Sequence, residues 1–148
     1  MKKTLVVTNY FPPHVAGPAT ILGNLFGQLD SREFCLLGYK DSQMLDTRID
    51  PASVIECPTY LCSFPNLLRR MAPRIFQEHR NQYLLIPAIV AQGLRAILRQ
   101  KIDYILGVVN ADGGAWLVAA YLLHRLTGKP FFLYGIDLWQ ETMAVSRV

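Results

Sequence analysis

Short β-branched and aliphatic runs alternate along this chain with segments whose apolar residues recur at helical spacing. Lys3 to Thr8, in "MKKTLVVTNY", is a continuous apolar run of the kind that forms a strand covered on both faces. Ala19, Leu22, Leu25, Phe26 and Leu29 then fall on one side of a helical period, which predicts a helix over 20–29. "EFCLLGY" (33–39) predicts a second strand, 41–51 a polar loop, and Ser53 to Cys57 a weaker strand closed by Pro58. From 66 to 101 the spacing is helical but interrupted at Pro73 and Pro87, so separate pieces are expected, the last over 87–100. "DYILGVV" (103–109) predicts another buried strand and 114–127 another helix. There Gly128 suits a left-handed stop and Pro130 prevents continuation. "PFFLYG" is the last strand.

Strands written as runs, separated by helical segments, imply a mainly parallel sheet sandwiched by helices: a Rossmann-like three-layer α/β/α domain. In such sheets ligands bind beyond the carboxyl ends of the strands, near the point where the strand order reverses. Three loops meet that description: Asn9 to Pro18, Asn110 to Gly114, and Gly135 to Glu141.

Bulk properties narrow the class further. The 148 residues make one ordinary domain, 51% hydrophobic and 18% charged, a core-rich globule without repeats or low-complexity tracts. At this length folding buries roughly 70% of the surface that the unfolded chain exposes, so neither a disulfide nor a metal is needed to hold it. The net charge of +4 is compatible with phosphate-bearing partners or an anionic membrane surface and specifies neither. Cys35, Cys57 and Cys62 are odd in number and lack paired spacing, which argues against a disulfide framework and a zinc site and for small buried hydrophobes in a reducing cytosol. "MKKTLVVTNYFPP" starts like a signal peptide, but its apolar stretch is only about five residues, too short for one. No window reaches the roughly 20 apolar residues of a membrane span. A cytoplasmic protein is expected, at most peripheral at the inner face of a membrane.

The loops carry the candidate chemistry. In "TNYFPPHVAGPAT", Pro12 and Pro13 stiffen an extended path, and Gly17 with Pro18 opens a helix whose backbone N–H groups are uncovered. Such an end is a seat for phosphate; equally, Gly17 permits a tight turn. There is no GxGxxG and no GxxxxGK[ST], so a dinucleotide site or a P-loop is unsupported. In "VNADGG", Asp112 is placed to cap the next helix, while Asn110 and the glycines would let a polar substrate approach the backbone. In "YGIDLWQET", Asp137 beside Trp139 offers either a carboxylate and aromatic face for sugar hydroxyls or a cap with a core tryptophan. His14 lies in the stiff loop, within reach of a ligand there; His79 reads as solvated and His124 as structural, with no metal-ligand spacing among them. Between 66 and 101, seven Lys/Arg stand against the single acid Glu78. Residues 66–80 therefore suit either an anionic membrane surface or an ordinary amphipathic helix on the sheet. No aromatic platform or recognition helix points to nucleic acid.

"TLVVTNYFPPHVAGPATILGNLFGQL" and "DYILGVVNADGGAWLVAAYLLHRLTGKPFFLYGIDLWQET" resemble the two ends of the amino-terminal domain of family 4 glycosyltransferases of the GT-B fold. The resemblance covers nearly the whole chain and is weak from about 40 to 85. It implies transfer of a sugar, with retained anomeric configuration and no bound metal or other cofactor. The donor would be a nucleotide-sugar and the acceptor a glycan or lipid-linked molecule in polysaccharide or glycolipid assembly. It further implies that Ala16, Gly17 and Pro18 approach the donor phosphates, and that His14, Asn110, Asp112 and Asp137 contact acceptor or sugar.

Three features depart from the family pattern. A Gly-Gly pair is replaced by Ala16-Gly17; a frequent histidine is Ile136; and the chain ends at Val148, without the carboxy-terminal donor-binding domain. The expectation is an amino-terminal domain over 1–148 that is inactive alone and completed by a donor-binding domain in cis or in trans. The alternative is a non-catalytic Rossmann-like binding or interaction module.

Overall fold

A computed structural model describes residues 2–9, 17–39, 57–62, 83–109 and 114–136. Five strands run in chain order as β1 (Thr4–Val7), β2 (Phe34–Tyr39), β3 (Thr59–Cys62), β4 (Tyr104–Val109) and β5 (Phe131–Gly135). Among the described residues three α-helices join them: α1 (Gly17–Phe26), α2 (Ile86–Gln100) and α3 (Gly114–Thr127). All four pairings are parallel, and the sheet order is β3-β2-β1-β4-β5. The architecture is the small Rossmann-like α/β fold that the sequence pattern predicts.

Strand alternation divides the core into two layers. Leu5 and Val7 of β1, Cys35, Leu37 and Tyr39 of β2, and Ile105 of β4 face one way. They pack against Ile89, Ala96 and Ile97 of α2 and Trp116, Ala119, Ala120 and Leu123 of α3. On the opposite face Val6, Leu36 and Val108 meet Leu22 and Phe26 of α1. Helices therefore cover both faces of a sheet whose central strands are apolar on both sides, as parallel sheets require.

Both ends of α1 differ from the sequence pattern. α1 opens at Gly17 and ends at Phe26, earlier at both ends than the predicted 20–29. Pro18 is at home in a first turn, where no N–H is needed. At the other end a tight turn carries the chain away, with the Leu29 N–H donating to the Phe26 carbonyl at 3.1 Å. Leu22 and Phe26 are buried, whereas Leu25 and Leu29 of the same predicted stripe stay exposed. β3 lies beyond Pro58, at Thr59–Cys62; of the strand expected over 53–57 only Cys57 is described, as a bend, and 53–56 lie outside the described residues. Proline cannot donate to a ladder, but its carbonyl accepts from the Leu36 N–H at 3.0 Å, so pairing with β2 begins there and runs onward. The other elements stand within a residue or two of expectation: Pro87 sits in the first turn of α2, and Gly128 (φ +67°) ends α3. The remaining helical pieces predicted within 66–85, and the proposed membrane face at 66–80, fall largely outside the described residues. No helix among the described residues is long and apolar enough to cross a membrane.

The amino-terminal edge of the sheet is closed by paired polar groups. The Lys3 N–H donates to Asp103 Oδ2 at 2.9 Å, and the Asp103 N–H returns a bond to the Lys3 carbonyl at 2.8 Å. Lys3 Nζ donates to Gln100 Oε1 at 2.9 Å, and Gln100 Nε2 reaches the Tyr60 hydroxyl at 3.3 Å. His124 Nδ1 lies 2.6 Å from the Lys129 carbonyl and its ring stacks near Phe131, the structural role expected of it.

Candidate functional site

The opposite, carboxyl edge is arranged differently. β1 lies between β2 and β4, and the strand order reverses there. The chain leaving β1 goes to α1 on one face of the sheet, and the chain leaving β4 goes to α3 on the other. Connections that diverge to opposite faces open a crevice between neighbouring strand ends, and ligands of doubly wound sheets occupy it. Two of the three predicted loops, 9–18 and 110–114, follow β1 and β4 in the chain; residues 10–16 and 110–113 lie outside the described residues. The third follows β5 at the far edge of the sheet, where the Ile136 N–H donates to the Val109 carbonyl at 3.0 Å.

Of the predicted site residues, Gly17 and Pro18 form the first turn of α1. His14, Ala16, Asn110, Asp112 and Asp137 lie outside the described residues. Neither α1 nor α3 carries an acidic side chain in its first turn. The positive ends of both helix dipoles thus face the carboxyl edge without a carboxylate of their own in that turn to offset them. At the start of α3, Gly114 allows close approach: a Cβ there would stand 2.7 Å from the Tyr83 hydroxyl, closer than side chains tolerate. Ile136 is partly buried against the apolar cluster of the α1 face, so this position supplies bulk and no proton chemistry.

Two residues at this edge escaped the sequence reading. The Thr8 N–H continues the β1 ladder, donating to the Leu37 carbonyl at 3.0 Å. Asn9 follows as a bend, two residues past the end of β1. Asn9 is 3% exposed, and its Nδ2 has no hydrogen-bond partner. Trp116, in the first turns of α3, is wholly buried with its ring edge-on to Tyr39 at 6.4 Å between centroids, and its indole Nε1 also lacks a partner. Buried polar groups are overwhelmingly paired, so each of these two donors is an exception among the described residues. The signal available in the sequence was positional: a polar residue directly after an apolar strand run, and an N–H-bearing ring at a core position of a helix.

The cysteines supply no nucleophile. Burial pushes Cys35 and Cys62 up to about 12, and raises Cys57 as well, although the Thr59 hydroxyl beside it pulls the other way. Among the described residues no group of three or more His, Cys, Asp or Glu side chains is placed to hold a metal ion. No protein-family model, no curated protein and no solved structure matches this chain.

Proposed function

We propose that the chain is the acceptor-side, amino-terminal domain of a glycosyltransferase that moves a sugar from a nucleotide-sugar to a glycan or lipid-linked acceptor, and that a donor-binding domain in cis or in trans completes it. The observation that carries this reading is the carboxyl edge at β1 and β4. There the sheet order reverses, and two helices open toward the edge with no acid in their first turns. When a nucleoside diphosphate leaves the sugar, negative charge grows on its oxygens. The Gly17 amide at the start of α1 is suited to receive that charge without reorganising, and stabilisation of this kind favours the transition state over the ground state. His14, Asn110, Asp112 and Asp137 belong to the same proposal as contacts to acceptor or sugar. Cytoplasmic residence, with residues 66–80 on the inner face of a membrane, extends it.

The test is sugar transfer with the donor-binding domain supplied. Gly17→Val puts a branched side chain at the amide and is expected to lower kcat about 10²–10³-fold, the usual cost of losing one such donor, while circular dichroism stays unchanged. Undiminished turnover in that variant refutes the phosphate role. A second reading, a non-catalytic binding module, draws on Ile136, whose side chain is committed to the core. Binding of a protein partner by an assembled complex that transfers no sugar selects it.

A further inference from the structure

We propose that β5 is a docking edge for a second copy of this chain: the two β5 strands pair antiparallel across a two-fold axis at Leu133 and join the two sheets into one. Among the described residues β5 is the last strand in the sheet order. Along it Phe132, Leu133 and Tyr134 are 55%, 57% and 38% exposed, whereas β3, at the opposite edge, exposes no large hydrophobic side chain. Sheet edges are ordinarily guarded by charge, proline or a bulge, and "FFLYG" carries neither a charge nor a proline. The ladder to β4 fixes which backbone groups point outward. The Ile105 N–H donates to the Pro130 carbonyl at 2.9 Å and the Ile136 N–H to the Val109 carbonyl at 3.0 Å, so the even-numbered residues of this stretch serve β4. The N–H and carbonyl groups of Phe131, Leu133 and Gly135 therefore point away from the sheet.

The strand is complementary to itself, which is why a second copy is the occupant. A two-fold axis normal to the sheet pairs residues of like parity, and centring it on Leu133 lets the whole strand pair. Leu133 then meets the partner's Leu133, and Phe131 meets the partner's Gly135, each pair exchanging both of its backbone hydrogen bonds. Phe132 meets the partner's Tyr134, an aromatic cross-strand pair, and no like charges are opposed along the strand. Tyr121 of α3, 48% exposed with its ring edge-on to Phe131 at 6.3 Å, extends the apolar surface beside this edge. These half-exposed side chains offer roughly 400 Å² per copy. That is about half of a standard interface, so the dimer is reversible. The partner's strands run the other way, so the two carboxyl edges face opposite ends and neither closes the other.

Cysteine cross-linking of the full chain tests the register. Directly paired residues on antiparallel strands stand about 4.5–5.5 Å apart at Cα, within the span of a disulfide. Under mild oxidation Leu133→Cys is expected to form covalent dimers by itself. Phe132→Cys and Tyr134→Cys are expected to do so when mixed, and each alone about ten-fold less. The parent chain, with Cys35, Cys57 and Cys62, controls for the native thiols. Sedimentation of the parent between about 1 and 100 µM should show monomer giving way to dimer. Monomer throughout, assembly beyond the dimer, or cross-linking of Phe132→Cys alone as readily as Leu133→Cys overturns the proposal. Hydrogen exchange separates the other occupant, the residues that follow β5 in the same chain. Protection of the Phe131, Leu133 and Gly135 amides that rises with concentration supports the second copy; the same protection at every concentration overturns it.

Discussion

Gly93→Ala sets two effects of opposite sign against each other at the seam between α2 and α3. Alanine in place of a helical glycine gains about 1 kcal/mol from backbone entropy and propensity. Here, however, a Cβ at position 93 collides with Leu123 Cδ1 and stands 2.9 Å from Cδ2 and 3.2 Å from Cγ. Apolar carbons are best separated by about 3.5–4.0 Å. Leu123 is wholly buried in the layer that holds Trp116 and Ala120, so it has no empty space to turn into. Overpacking of this kind costs about 1–3 kcal/mol. Because several atoms of one side chain are struck together, the upper part of that range applies, and the net loss is about 1–2 kcal/mol. Urea denaturation should report it as a lower midpoint at unchanged slope. Thermal unfolding should fall by about 2–4 °C for each kcal/mol.

A double-mutant cycle with Leu123→Ala isolates the cause. Leu123→Ala alone is expected to cost about 2–5 kcal/mol. In that background the space around position 93 is vacated, so Gly93→Ala should become stabilising, with a coupling of about 1–3 kcal/mol. If Gly93→Ala raises stability in the parent and the two changes simply add, the helices do not approach as closely as described here, and the account of this layer is wrong.

Three further outcomes follow from the same structure. Lys101 ends α2 at φ 52° and ψ 52°, a left-handed conformation that costs a side-chain-bearing residue about 1–2 kcal/mol; Lys101→Gly should therefore raise the melting temperature, and a decrease would show that the lysine side chain contributes more than its backbone strain removes. Cys35 and Cys62 stand near 12 in the folded state against an ordinary 9.0, so their contribution is complete below about pH 9 and disappears as pH rises toward 12; urea midpoints should fall over that window, less steeply in Cys35→Ala, and an equal slope in both proteins would contradict it. Leu133 is 57% exposed on β5 at the edge of the sheet, an apolar strand edge of the kind that pairs with other chains; Leu133→Lys should suppress self-association in sedimentation experiments while moving stability by no more than about 0.5 kcal/mol.

What could be read in the sequence, and what could not, follows from where each property resides. Runs such as "TLVV" and "YILGVV" announce buried strands because both faces of a central parallel strand must be apolar, and that requirement is written into every residue of the run. The position of β3 was not so written. "TYLC" is too short a pattern to announce itself, and its pairing with β2 starts at Pro58, whose carbonyl serves the ladder although its nitrogen cannot. The strand order has no local signature either, since it depends on which face each crossover takes. It is this order that brings the chain leaving β1 and the chain leaving β4 to one crevice. Gly17 and Pro18 were legible as the opening of a helix because glycine and proline act on their own backbone. Asn9 and Trp116 were not legible, because whether a donor lacks an acceptor depends on neighbours distant in sequence: Tyr39, against the Trp116 ring, lies 77 residues from it. Lys3 and Asp103 are bonded to each other across the amino edge, whereas Asn9 Nδ2 and Trp116 Nε1 are left without partners, a difference that only the folded chain displays.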